Sequence, residues 1–330
     1  MDLGIRGRNV SALYGGSDGV DLGTAVVGQL LNPPRFAFGA RTSDRIREYS
    51  VAASYSFRWR NHVSFTTGVQ RPTYSRRVQD PVLGTSATTL IPWLYNSSIA
   101  VLPTKRLALF GALTRGLEDS GVAPLNATNR GAVLGAARSS QQEIGMKYLF
   151  TPSLKLVVTG FEIRKPYFAL DGQGVFGSLG GERHRGSEIS LAGELLPGLN
   201  IVAGAVLFTP EVTAVSTPQD PVGRRPVGLA SRMGQLSLDY HTPGLPGFSV
   251  DCVVNARGAR PASVDNRVQI AGYSTLDVGA RYKIPLEHPS MVLRVQVLNV
   301  TNSYNWNVGS DGGLWPLEPR RALAYLIIDF

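Results

Sequence analysis

The residues best equipped for chemistry are few and badly spaced for it. The four histidines, His62, His184, His241 and His288, lie far apart, and none belongs to a linear metal-ligand pattern. No GxSxG or HExxH segment occurs, so neither a nucleophile elbow nor a zinc-protease helix is encoded. The single Cys252 excludes an internal disulfide and any CxxC redox or zinc site. A GxGxxG match, Gly172-Gln173-Gly174-Val175-Phe176-Gly177, follows no buried parallel strand and opens no helix, the context a dinucleotide site requires. Neither catalysis nor a cofactor is therefore expected. The formal charge is +9, carried mostly by arginine. Arginines clustered on loops would attract an anionic solute. Nucleic acid is not the expected partner, because no helix-turn-helix, zinc-finger or aromatic RNP pattern accompanies the charge.

The elements that must position these side chains are strands. Charged residues make up only 17% of the 330 residues, below the roughly 25% usual for soluble domains, and there are 37 glycines. No apolar run approaches the ~18 residues of a membrane helix. A mean hydropathy of -0.01 fits strands that alternate apolar and polar positions. Val51, Ala53, Tyr55, Phe57 and Trp59 alternate with Ser54, Ser56 and Arg58, turn at Arg60-Asn61, and return through Val63, Phe65, Thr67 and Val69. The same unit recurs around turns at residues 103–105, 151–153, 197–198, 243–247 and 285–289, and a last strand runs from Arg321 to Phe330.

Thirteen strands read back from the C-terminus, and weaker candidates at Asp2 to Tyr14 and Val20 to Leu31 bring the total to about fifteen. Long loops are expected at 73–92, 116–140, 165–184, 210–231, 259–270 and 302–320, on the side opposite the short turns. That asymmetry describes an all-β, antiparallel transmembrane β-barrel. Tyr55, Phe57, Trp59, Tyr148, Phe150, Tyr240, Tyr282 and Phe330 end the apolar faces at the short-turn side, where amphipathic rings would form a girdle at the membrane interface. Arg58, Glu188, Glu194, Asp239, Asp251, Arg257, Asp277, Arg281, Lys283 and Arg294 would then face the lumen. A soluble sandwich would place the same alternation inside out.

From Glu118 onward the chain resembles the C-terminal barrel half of TonB-dependent receptors, especially those for ferric siderophores. The resemblance is carried by ATNRG at 127–131, QQEIGMKY at 141–148, FEIRKPYFALDG at 161–172 and GERHRGSEISLAGELLPGLNIVAG at 181–204. It continues in RRPVG at 224–228, AGYSTLDVGARYKI at 271–284, VLRVQVLNVTNSYNW at 292–306 and PRRALAYLIIDF ending at Phe330. The terminal alternation of Leu326, Ile328 and Phe330 also resembles the signal read by barrel-assembly machinery.

Such receptors enclose a plug in a barrel of about 22 strands. Residues 1–330 are therefore expected to be a single C-terminal barrel portion of about fifteen strands, without the N-terminal plug, TonB box or signal peptide. The resemblance implies residence in the outer-membrane lipid of a Gram-negative bacterium. It also implies import of a ferric siderophore, energised by the TonB complex acting through a plug. Loop rings and cations would contact the chelate, and the candidates are Tyr167, Phe168, Arg183, His184, Arg185, Arg224, Arg225, Trp306 and Trp315. A passive porin-type channel, a truncated remnant that transports nothing, and a barrel hydrolase are the alternatives.

Overall fold

The computed structural model describes residues 2–17, 38–124, 126–214, 222–286, 290–309 and 313–329. The strands in chain order are β1 (Asp2–Ser17), β2 (Phe38–Trp59), β3 (Val63–Asp80), β4 (Gly84–Leu90), β5 (Leu94–Val101), β6 (Leu107–Glu118) and β7 (Ala137–Leu149). They continue as β8 (Leu154–Leu170), β9 (Phe176–Leu196), β10 (Leu199–Ala214), β11 (Arg232–His241), β12 (Phe248–Arg257), β13 (Arg260–Pro261) and β14 (Gln269–Ile270). The remainder are β15 (Tyr273–Ile284), β16 (Ser290–Leu298), β17 (Trp306–Val308), β18 (Leu314–Pro316) and β19 (Arg321–Asp329).

One 15-stranded antiparallel sheet contains all but β13, β14, β17 and β18. Each strand pairs with the next of the meander, and the small hairpins β13–β14 and β17–β18 stand off it. The expected all-β antiparallel barrel portion is thus present. Its membership differs in detail: β4 folds back on β3 within the expected 73–92 loop, and the Val20 to Leu31 candidate lies outside the described residues.

The short turns demand particular backbone. At the β9–β10 turn Gly198 has φ +78°, and a Cβ there would meet the His241 carbonyl oxygen at 2.7 Å. Gly247, in the β11–β12 turn, has φ +82° and would meet the Lys283 oxygen at 2.6 Å. Only glycine combines a left-handed backbone with such close approach.

Register separates the two faces, since directly opposed residues share a side of the sheet. One face carries Asp44, Ser50, Pro72, Tyr74, Arg76 and Val78 on β2 and β3, all buried. Arg76 forks onto Asp44 (Nε–Oδ1 3.1 Å, Nη2–Oδ2 2.6 Å) and reaches Asp119, beyond β6, at 2.7 and 2.9 Å. The loop between β6 and β7 therefore lies over this face, which makes it the inner one. The expected lumen charges share it and pair there, Arg281 with Asp239 at 2.7 Å and Arg294 with Asp251 at 3.1 Å. The opposite face exposes Val51, Leu109, Leu113, Ile144, Ile189 and Leu207, the apolar surface that a lipid solvent requires.

Several strands are far longer than the 9–11 residues that cross a bilayer. β2 has 22 residues, β8 has 17 and β9 has 21. The expected 165–184 loop is consequently the far end of the β8–β9 hairpin, strand on both sides of its tip. Its tip holds the GxGxxG segment: Asp171 Oδ1 accepts from the Gln173 and Val175 amides, and Gly174 sits at φ +75°.

Candidate functional site

At the loop end of the inner face a cavity of about 450 Å³ opens between β8, β9 and the loops that fold over them. The β8–β9 ladder places Lys165 opposite Glu182 and Ile163 opposite His184, so alternate inner-face positions deliver cation, carboxylate, imidazole and phenol to one place. Lys165 Nζ lies 3.3 Å from Glu182 and 3.9 Å from Glu118, while His184 Nε2 lies 3.4 Å from Glu182. The buried Glu182 thus lies between the two nitrogens. Tyr167, 5% exposed, and Phe168 complete the wall, with Val227, Gly228 and Val308 closing it from the loops. The His184 ring packs at a tilt against Phe208, centroids 5.6 Å apart, and Phe208 in turn meets Phe161 at 6.3 Å.

The covering loops are clasped together. Gly223 donates to the Val264 oxygen and Gly228 to the Pro261 oxygen, both through their amides. The Arg225 amide donates to Asn266 Oδ1, and its guanidinium donates to the Ala259 carbonyl at 3.1 Å. The buried Arg260 lies over the Tyr273 ring at 5.3 Å and donates to the Trp306 carbonyl, which fastens the β17–β18 hairpin. Tyr304 meets the Trp306 ring edge-on at 5.8 Å, and Trp315 is half exposed on β18. A ring-lined, mixed-charge pocket under tied loops suits recognition of a compact polar solute carrying aromatic or anionic groups.

The nine candidate contacts divide accordingly. Tyr167, Phe168 and His184 line the cavity, though on strands rather than on a loop. Arg225 holds the clasp, Arg224 is exposed beside it, and Trp306 and Trp315 sit on the hairpin whose Val308 lines the pocket. Arg183 and Arg185 need correction. They lie on β9, opposite Arg164 and Glu162 of β8, and all four belong to the outer face. Both arginines bond Glu162 there, at 3.2 and 2.7 Å. Lys165, Glu182, Glu118 and Asp119 were not singled out. The opposite charges of Lys165 and Glu182, at alternate positions with Tyr167 and His184, were the available signal.

Of the expected girdle, Tyr55, Phe57, Trp59, Phe150 and Tyr240 are exposed on the outer face, and Tyr148 and Tyr282 are partly so. Tyr148 packs edge-on to Phe150 at 5.1 Å, Arg60 lies 5.9 Å from the Trp59 ring, and Phe330 falls outside the described residues.

Comparison with known proteins places this geometry. The family model described as TonB dependent receptor-like, beta-barrel matches residues 4–302. A ferrichrome receptor of Yersinia enterocolitica is 28% identical over 283 residues, covering 81% of this chain and 36% of that protein. The solved ferric preacinetobactin receptor of Acinetobacter baumannii superposes with a TM-score of 0.70 at 23% identity, over 91% of this chain and 45% of its own. The ferric-catecholate import receptor of E. coli K12 gives 0.75 at 14% identity, over 98% and 51%. The chain thus spans about half the length of these solved structures and about a third of the curated relative.

Proposed function

We propose a role in solute import on one premise: the chain belongs to the TonB dependent receptor-like β-barrel family, the match covering residues 4–302. It is an outer-membrane barrel portion and not an enzyme. The solute in this reading is a ferric siderophore, bound at the loop end of the lumen before passage inward. The family match is the observation that carries the reading. The cavity of Lys165, Tyr167, Phe168, Glu182 and His184 supports it with a physical site.

Cations and rings recognise iron chelates because hydroxamate and catecholate ligands present oxygen-rich, anionic or aromatic surfaces. The named Yersinia relative makes a ferric hydroxamate the first probe. Coupling to the TonB complex would act through a plug enclosed by the barrel, and the aromatic girdle would seat the short-turn end at the lipid interface. The C-terminal alternation of β19 would present the chain to barrel-assembly machinery.

The test is ligand-dependent quenching of tryptophan fluorescence in the folded chain, titrated with ferrichrome and with a ferric catecholate. Saturable quenching by either one, absent with the iron-free ligand, supports the reading. Iron-independent sugar influx into proteoliposomes without chelate binding would replace it with a passive channel.

A further inference from the structure

The charged side chains that line the loop-end cavity are three carboxylates, Glu118, Asp119 and Glu182, and one ammonium, Lys165, with the His184 ring beside them. Among the described residues no arginine lines it. Lys165 is already engaged, at 3.3 Å from Glu182 and 3.9 Å from Glu118. Asp119 bonds Arg76 at 2.7 Å, but Arg76 also forks onto the buried Asp44. Four carboxylates therefore share two cations, and the cavity keeps a surplus of negative charge in a chain whose formal charge is +9. The arginines that would answer an anion are directed elsewhere. Arg183 and Arg185 bond Glu162 on the outer face, and the Arg225 guanidinium donates to the Ala259 carbonyl.

An independent feature of the same wall points to a ligand. Tyr167 is 5% exposed, yet its hydroxyl has no hydrogen-bond partner, the Val227 backbone approaching it without completing a bond. A buried hydroxyl left unpaired is unfavourable, and an oxygen acceptor on a bound solute would satisfy it. The register shift between Tyr167 and Phe168 brings both rings to the cavity although they are consecutive in sequence. Their faces stand on the same wall as Glu118 and Asp119, whose side chains are 48% and 41% exposed and form the rim. Carboxylates beside aromatic faces suit an ammonium group.

We propose that this cavity selects, among ferric chelates, those that carry a protonated amine and no net negative charge. The ammonium lodges between Glu118, Asp119 and the rings of Tyr167 and Phe168, and the Tyr167 hydroxyl donates to an oxygen of the iron-binding groups. An anionic chelate meets uncompensated carboxylates in a site partly screened from water, where like charges repel strongly. This reverses the expectation of an anionic solute that the arginine-rich composition encourages. The proposal rests on the import reading and adds to it the charge of the solute.

The test is fluorescence titration of the folded full chain in detergent with one linear ferric trihydroxamate in three forms: free terminal amine, N-acetylated and N-succinylated. The iron core is the same in all three, and the terminal charge is positive, absent or negative. The amine form is expected to bind at least tenfold more tightly than the succinyl form, with the acetyl form between them. Glu118→Gln, which removes one rim charge whose nearest cation is 3.9 Å away, is expected to shrink that preference at least threefold. Tyr167→Phe is expected to weaken all three forms by a similar factor of at least threefold. Equal affinity for the three forms, tighter binding of the succinyl form, an unchanged preference in Glu118→Gln or unchanged affinities in Tyr167→Phe overturns the proposal. Ferrichrome, titrated alongside, separates the failures. If it binds and the amine form has no advantage, the charge assignment alone falls; if neither ferrichrome nor any of the three forms binds, the import reading falls with it.

Discussion

Arg76 shows what a single side chain can hold. It is 7% exposed, forks onto the equally buried Asp44, and uses its remaining nitrogen on Asp119, so it ties β2, β3 and the β6–β7 loop at one point. Arg76→Met leaves Asp44 charged and buried without a partner, a loss of about 3 kcal/mol. Chemical denaturation of the folded chain in detergent is expected to show that loss, and hydrogen exchange to show faster labelling at 119–121. In the cavity, His184 touches both Glu182 and the Phe208 ring. His184→Ala is expected to weaken ferric-hydroxamate binding about tenfold, the equivalent of ~1.4 kcal/mol. Arg183→Gln, one position away in sequence but on the opposite face, is expected to leave that affinity unchanged. Paired fluorescence titrations check both, and equal losses in the two variants would place the ligand elsewhere.

Strands and turns were legible wherever one face met lipid. The alternation at 51–59 gave both the existence and the facing of β2, because lipid demands apolar residues on one side and the lumen tolerates charge on the other. Beyond the apolar band both faces are wet, the alternation stops, and polar sequence reads as loop although the ladder continues. That is why 165–184 read as a loop and why Arg183 and Arg185 were placed beside the ligand. The cavity was half legible for the same reason: rings and cations could be listed, but their face depends on a register that composition does not encode. Turn chemistry was plainer. Gly198→Ala forces a left-handed alanine against the His241 oxygen and is expected to cost at least about 1–2 kcal/mol. A lowered denaturation midpoint with unchanged ligand affinity would check it. The β13–β14 loop carries a pH response instead. A hydrogen bond from the Ser263 hydroxyl, and then one from the Arg267 amide, hold the Asp265 carboxyl below the usual carboxylate range. Its contribution is present above that range and fades as pH falls below about 4. Proteolysis within 259–270 is expected to accelerate there and not between pH 6 and 8.

At the scale of the molecule, one sheet has been turned inside out relative to a water-soluble sandwich. Ile144, 73% exposed, and Ile189, 48% exposed, face outward, while their neighbours Glu143 and Glu188 face inward, on the face that carries the Arg281–Asp239 ion pair. In water this arrangement would squander the largest favourable term in folding, since exposed apolar surface forfeits roughly 25 cal/mol per Å². In a bilayer the same surface is at no disadvantage, and the charges keep their water in the lumen. A nitroxide walked along adjacent positions reads this polarity directly, once Cys252 is replaced by serine. At residues 144 and 189, collision with oxygen, which concentrates in lipid, is expected to exceed collision with a water-soluble nickel chelate. At residues 143 and 188 the order is expected to reverse. Nickel-accessible labels at all four positions would mean that the sheet meets water on both faces, and the apolar rows of β6 to β9 would then need a protein partner in place of lipid.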